Sequence, residues 1–565
     1  MISTRIARAE LLFWLLLGIA VIALNIWRYD GPFISNDGIQ YLSVAENIAA
    51  GRGIRTSIVH YDEERAHGEI PALSTTFPPG YPTTVALLSL TGMGAEWAGL
   101  LVSAVAFLAL IPLIGLLSSW FELGAVATRC VLLALVMNYI ASIQSSKTES
   151  ESLFTLFTVG AVIFLLRCAA QVQAAPSQPL RMPWSDWLFA GVLIGLAYWV
   201  RYAGLFLFAT ALLLAAVALY LLPRRHAAKP FVTVAIAASM VGLVFWRNIL
   251  YTGSWKGGNT KDVFNPVLGF LKVAVATVYQ LFLGHLVLER VGVLEALFAV
   301  GAVAVGVVAL LKLAPNVRAL RPDGRLQATF VVVLSFIAVY TAAFIYLGLF
   351  SVISFSAKMF YPIFPLLLLL LAWALSETWK RTPRASWPRK AFVAGLATVL
   401  CTYCAINFRD IVGSRTTGGT SILEYRRIAE RFEAATRQGE PLRSWFEQNV
   451  PAGGPIVASD GQSTAYALHR ETVSLVSSEY SNLVWNENAV RQVMDEFHSG
   501  VLILYPNTDA ESNPVQAESE FLAALLRGKV PPWLTVAAEN SEVKIFQRVD
   551  APPHAAQTRS NPPAR

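Results

Sequence analysis

The sequence predicts a polytopic α-helical membrane protein of about eleven transmembrane helices, followed by a C-terminal extracytoplasmic α/β domain. Three observations carry that prediction. Of 565 residues, 55% are hydrophobic and only 14% are charged, and the mean hydropathy is +0.52. Ordinary soluble domains are roughly 25% charged, so a purely soluble enzyme, a disordered chain and a collagen-like fibre are all excluded. Apolar runs long enough to cross a bilayer recur along most of the chain. Charge then splits it: residues 1–408 hold 29 Lys/Arg and 18 Asp/Glu, a net of +11, whereas residues 409–550 hold 13 and 19, a net of −6. The overall excess of base (44 Lys/Arg against 37 Asp/Glu) is therefore membrane-flanking, and no nucleic-acid partner is needed to explain it.

Taken in order, the spanning runs cover residues 11–27, 97–118, 125–142, 151–168, 185–200, 203–222, 231–250, 292–312, 327–350, 359–376 and 391–408. The first continues to Trp27 without a small-residue cleavage site and reads as a retained anchor. Cytoplasmic loops collect Lys and Arg. With Arg5 and Arg8 inside, the inward connections hold Arg167 and Arg181, then Arg224, Arg225 and Lys229, then Lys312 to Arg325, then Lys380 to Lys390. The short outward loops hold little beyond Lys147 and Arg201. That places the N-terminus in the cytoplasm and, with an odd number of spans, the C-terminal domain on the periplasmic or extracytoplasmic side of the inner (plasma) membrane. Residues 264–288 are apolar enough to cross but are interrupted by Lys272, Gln280 and His285, and read as an amphipathic stretch at the outer interface. Cys130, Cys168, Cys401 and Cys404 lie in or beside apolar runs and read as small buried side chains.

Between the first two spans lies a long outer loop, residues 28–96, and long loops in compact folds are usually functional. Within it, Ile39, Leu42, Ala45, Ile48 and Ala49 recur at helical spacing before Gly51 and Gly53, which predicts a short amphipathic helix on the membrane surface. Asp37 stands at its N-terminal end, where either Asn36 or Asp37 could cap the helix. His60 and His67 flank Asp62, Glu63 and Glu64, a patch that reads first as solvated loop.

Several short motifs follow one another in order. Asp37, Gln40-Tyr41, Ala45, Asn47 and Gly51-Arg52-Gly53 lead to Pro78-Pro79-Gly80-Tyr81-Pro82. Ser150-Glu151-Ser152-Leu153-Phe154 opens the fourth span, with Ser152 where the pattern usually has Pro. Gly195-Leu196-Ala197 runs to Arg201-Tyr202-Ala203-Gly204, Arg247-Asn248 precedes Gly253, and Lys358 to Pro365 reads KMFYPIFP, with Lys in place of the usual Arg. This ordered set resembles the GT-C membrane glycosyltransferases, the superfamily that includes protein mannosyltransferases and the aminoarabinose transferases of lipid A. The resemblance implies a GT-C type fold over residues 1–408. It also implies a glycosyltransferase taking a hexosyl or pentosyl group from a polyprenyl-phosphate sugar donor. The acceptor would be an envelope glycolipid, glycan or protein on the far side of the membrane.

Such chemistry makes demands on residues. An acceptor hydroxyl or amide needs a carboxylate within hydrogen-bond reach as general base, and Asp37 is the expected base. Glu149 and Glu151, in the second outer loop, are expected to orient the acceptor or to join Asp37 around a divalent cation, if one is used. Their alternative is a polar helix start favoured by the helix dipole. A lipid-phosphate leaving group calls for cations. Arg201, Arg247 and Lys358 stand at outer helix ends, with Tyr202 and Tyr361 beside them as further phosphate donors or as interfacial aromatics.

From Arg409 the apolar runs shorten. Residues 420–439 read as an amphipathic helix, and PIVASD, TVSLVSS, GVLILYP and VKIFQRV as β-runs, with a helix over AVRQVMDEFHSG. Residues 409–550 thus form an α/β domain without a GxSxG, P-loop or paired-Gly nucleotide fingerprint, and 551–565 a disordered tail. The competing class is a polytopic transporter or lipid flippase. Its polar residues belong at the membrane midplane and its halves often repeat, whereas here the acidic residues cluster in outer loops.

Overall fold

A computed structural model describes residues 8–61, 68–174, 183–222, 226, 228–255, 264–284, 324–351, 356–381, 387–412, 454–478, 483–506, 513–539, 541 and 543–549. The chain forms two compact units, the first of residues 1–54 and 74–420 and the second of residues 55–73 and 421–565. Part of the long loop between the first two spans, residues 55–73, thus belongs with the second unit.

The first unit is helical. Its elements are α1 (Arg8–Tyr29), α2 (Asn36–Ala49), α3 (Gly80–Ser89), α4 (Ala95–Trp120), α5 (Ala125–Val136), α6 (Tyr139–Ser146) and α7 (Glu151–Ala174). Then come α8 (Trp184–Val200), α9 (Gly204–Leu221), α10 (Ala228–Thr252), α11 (Val267–Leu283), α12 (Gly324–Phe350), α13 (Ala357–Phe360), α14 (Phe364–Arg381) and α15 (Trp387–Val412). Seven of these, α1, α4, α7, α9, α10, α12 and α15, are long and apolar enough to cross a membrane. The expected run 125–142 is broken: α5 and α6 meet at a 57° bend and together count as one further span. Asn138 stands at the break, its side chain capping α6 at the Ala141 amide and donating to the Leu281 carbonyl at 2.8 Å. The expected 359–376 is likewise divided into α13 and α14. The run 185–200 is α8, and 292–312 lies outside the described residues.

The burial pattern is that of a protein whose solvent is lipid. Phe107, Leu110 and Ile111 of α4 are fully buried at the centre, while α1 leaves Leu12, Phe13, Leu16 and Ile19 exposed. The α11 helix buries Phe270, Thr277 and Leu281 and exposes Leu268, Leu271, Val275 and Val278. Apolar outward faces of this kind are stable only in hydrocarbon, where helices satisfy their own backbone groups. This is a multi-pass membrane protein.

In the second unit a six-stranded sheet runs β2 (Ile58–His60), β5 (Thr472–Ser474), β4 (Ile456–Ala458), β6 (Val501–Leu504), β8 (Lys544–Arg548), β7 (Leu534–Glu539). The first four strands are mutually parallel, and β8 pairs antiparallel with both β6 and β7. β1 (Arg55–Thr56) pairs with β3 (Ala72–Leu73) in a separate two-stranded ribbon. Helix α16 (Gly461–Leu468) connects β4 to β5, α17 (Glu487–Glu496) connects β5 to β6, and α18 (Pro514–Glu518) and α19 (Glu520–Leu526) precede β7. The strands alternate as the two-residue period requires: Val457 enters one core with Val473, Leu502 and Phe546, while Ile456 and Ala458 enter the other with Val501 and Ile503. The four expected β-runs are β4, β5, β6 and β8, and the expected helix before the third is α17. The amphipathic 420–439 lies outside the described residues. Unforeseen is β2, a strand from the long loop between the first two spans that closes the edge beside β5, with Val59 and Tyr61 packed into the core with Trp485 and Phe497.

Candidate active site

The site of the first unit begins with a helix cap. Ser35, not Asn36 or Asp37, caps α2, its Oγ accepting from the Gly38 amide at 3.2 Å. This corrects the expected cap and leaves the Asp37 carboxylate free of that duty. The same Ser35 hydroxyl donates to Glu149 Oε1. Gly38 lets α2 lie against the α6–α7 loop, since a Cβ there would stand 2.6 Å from Thr148 Oγ1. Backbone bonds from Phe33 N to the Ser146 carbonyl and from Thr148 N to the Phe33 carbonyl fasten the two loops. Ser103 of α4 donates to the Glu149 carbonyl at 3.1 Å. Glu149 and Glu151, each 1% exposed at the side chain, are thus held beside the first turn of α2.

Two more segments complete the cluster. The tight turn between α8 and α9 depends on Gly204, where a Cβ would collide with the Tyr198 backbone at 2.4 Å, and it presents Arg201. Arg201 Nη1 donates to Glu151 Oε1 at 2.5 Å and to Ser150 Oγ at 3.0 Å. The short α13 presents Lys358, and its Met359 carbonyl is held by Tyr340 Oη at 2.7 Å. Lys358 Nζ lies 2.6 Å from Asp37 Oδ2 and 3.8 Å from Glu149 Oε1, and Lys147 Nζ lies 2.9 Å from the same Glu149 oxygen. Beneath them, Tyr41 Oη meets Ser150 Oγ at 2.9 Å, with the rings of Phe77 and Tyr81 packed on it.

The electrostatics follow from this packing. Burial opposes ionisation of Glu149, but the ammonium groups of Lys147 and Lys358, with the Ser35 and Lys147 hydrogen bonds, overcome it and hold the carboxyl far below its usual range. Burial likewise opposes charge on Lys358, and Glu149, Asp37 and Glu151 outweigh it, so its pKa is raised. Burial also raises the Tyr41 phenol, which stays protonated.

Of the residues singled out in the sequence, Asp37, Glu149, Glu151, Arg201 and Lys358 meet in one cluster although they span 321 positions. The other three do not join its ion pairs. Arg247, on α10, has its guanidinium nitrogens buried without a hydrogen-bond partner, with the Tyr251 ring centroid 6.0 Å away. Tyr202 Oη donates to the Thr75 carbonyl at 2.7 Å and accepts from Asn248 Nδ2 at 3.0 Å. Tyr361 is fully buried at the C-terminal cap position of α13. Sequence reasoning missed Lys147, whose signal was a lone cation two residues before Glu149 in the same loop. It also missed Ser35, which had none, and gave Ser150 no role of its own although it opens the Ser150-Glu151-Ser152-Leu153-Phe154 motif.

One carboxylate oxygen each from Asp37, Glu149 and Glu151 lie within 4.8 Å of one another, a spacing that suits a cation. Glu149 Oε2 and Glu151 Oε2 are buried and without a hydrogen-bond partner. The charge, however, does not suit a divalent ion. Lys147, Lys358 and Arg201 already balance the three carboxylates, and Lys358 stands against two of them.

In fold the chain is similar to solved GT-C membrane glycosyltransferases. The individual likenesses are long in coverage and low in identity. ArnT from Cupriavidus metallidurans, bound to undecaprenyl phosphate, matches at 14% identity and a TM-score of 0.54, over 95% of this chain and 98% of that one. The oligosaccharyltransferase of Archaeoglobus fulgidus, in complex with Zn and sulfate, matches at 15% and 0.53, over 90% and 69%. The mycobacterial arabinofuranosyltransferase AftD matches at 15% and 0.50, over 96% of this chain but only 40% of its own length. No family model and no curated protein matches the sequence.

Proposed function

We propose that this protein is an integral-membrane glycosyltransferase that moves a sugar from a polyprenyl-phosphate donor to an envelope glycolipid, glycan or protein at the extracytoplasmic face of the inner membrane. The observation that carries the reading is the convergence of Asp37, Glu149, Glu151, Arg201 and Lys358, from four separate segments, in a fold whose solved examples include one bound to undecaprenyl phosphate. In the reaction, an acceptor oxygen or nitrogen attacks the anomeric carbon, the bond from that carbon to the phosphate oxygen breaks, polyprenyl phosphate leaves, and the acceptor proton passes to a base.

Asp37 is that base. Its side chain is 35% exposed, whereas those of Glu149 and Glu151 are closed off, and its bond to Lys358 uses only Oδ2. Glu149 and Glu151 act as positioning residues, holding Lys358 and Arg201 respectively. The leaving phosphate gains negative charge, which preorganised cations stabilise strongly in a water-poor site. Lys358, Arg201 and Arg247 supply them, supported by Tyr361 and Tyr202, and of the three only Arg247 has no anionic partner among the described residues.

The test is Asp37→Asn, with envelope glycolipids and glycoproteins compared by mass spectrometry and transfer from polyprenyl-phosphate sugars measured on the purified protein. A lost general base lowers the rate on the order of 10²–10⁴-fold. Expression and membrane insertion stay intact. Undiminished transfer in this variant rejects the assignment, and an envelope unchanged when the whole gene is deleted rejects the activity.

A further inference from the structure

Two of the three carboxylates that would hold a divalent cation already share a cation that the chain itself supplies, and the third has its own. Lys358 Nζ is 2.6 Å from Asp37 and 3.8 Å from Glu149. Lys147 lies on the other side of the Glu149 oxygen at 2.9 Å, and Arg201 closes on Glu151 at 2.5 Å. Three negative and three positive charges make the cluster neutral as built. A divalent ion entering there would leave a surplus of two positive charges in a place where two of the three acids are almost wholly shut from water, with the Lys358 ammonium against it.

We infer that Lys358 takes the place of a divalent metal in this site, and that the protein's reaction is metal-independent. The inference rests on reading the cluster as the glycosyl-transfer centre. Lys358 sits on α13, a four-residue helix whose backbone is anchored by Tyr340. An ammonium has three N–H donors, and one of them is committed to Asp37. The group thus orients the base and still offers charge and hydrogen bonds to a phosphate oxygen. With the metal role filled, the unpartnered Oε2 atoms of Glu149 and Glu151 become acceptors for hydroxyl or amine hydrogens of the bound sugar or acceptor.

The experiment uses full-length protein in detergent, titrated with Mn²⁺ and followed by electron paramagnetic resonance, alongside elemental analysis and transfer assays with and without chelator. Wild type is expected to hold no stoichiometric divalent metal and to transfer sugar equally well in chelator. Lys358→Met, which leaves the acids one positive charge short, is expected to bind Mn²⁺ at least about tenfold more tightly than wild type, because such affinities follow ligand charge. Lys358→Arg, which restores the charge, is expected not to. Stoichiometric metal in wild type that disappears in Glu151→Gln overturns the inference, as does transfer abolished by chelator and restored by Mn²⁺. Equal Mn²⁺ affinities in wild type and Lys358→Met overturn it too. If no sugar transfer is found in any condition, the glycosyltransferase reading fails, while the Mn²⁺ titrations still decide whether the site excludes metal.

Discussion

At the scale of single residues, the site's ion pairs are buried, and that makes their removal costly. Glu149→Gln leaves Lys147 and Lys358 facing an amide, and breaking a buried pair in this way costs about 3–5 kcal/mol; a thermal melt in detergent reads the loss. The pH dependence has a definite sign. The depressed Glu149 carboxyl contributes stability above its ordinary 4.5 that is lost as pH falls through the folded value. The raised Lys358 contributes below its ordinary 10.5 and is lost as pH rises through the folded value. Between those limits the gap in melting temperature between wild type and Glu149→Gln should stay constant, narrowing only below about pH 4.5. A gap that changes near neutral pH contradicts the assignment. Arg247→Gln should raise the donor KM with little effect on the maximal rate, since its unpartnered guanidinium is assigned to binding, and unaltered donor saturation would remove it from the site.

At the scale of elements, the sequence made most helices legible because a spanning run is long and its composition is uniform. The breaks were harder to see. Within 125–142 only Asn138 marks the 57° bend, and its bond to α11, a partner 143 positions away, is not legible in the run itself. The members of the cluster were visible as ionisable groups in loops and at helix ends, yet their pairing was not: nothing in the sequence sets Lys358 against Asp37. A loop sequence specifies which charges are present, and tertiary packing decides which of them meet. Gly38 shows how tightly that packing is set. Gly38→Val should push α2 off Thr148, separating Asp37 from Glu149 and reducing transfer, whereas Gly94→Ala, which meets nothing within 4 Å, should leave it unchanged. Activity retained in Gly38→Val would show that the two loops tolerate separation.

At the scale of the whole molecule, the chain enters its second unit twice, first for residues 55–73 and again after 420. Strand β2 comes from the first visit, and Tyr61 fills the core beside Trp485 while its hydroxyl donates to Glu496 at 3.1 Å. Truncating a buried aromatic costs about 3–5 kcal/mol. Tyr61→Ala should therefore speed amide hydrogen exchange in β4, β5 and β6, and unchanged protection there would mean the inserted strand is dispensable. The α/β pattern after residue 409 was readable from its alternating apolar runs. The inserted strand was not, because three residues between turn-forming neighbours carry too little periodicity to announce a sheet whose other members lie some four hundred positions later. That arrangement constrains anyone who wishes to rebuild the protein. A chimera that exchanges only the C-terminal portion for a relative's would graft a sheet missing its outermost ribbon, so a workable swap needs two splice sites, with the short segment near residue 60 travelling alongside the larger piece.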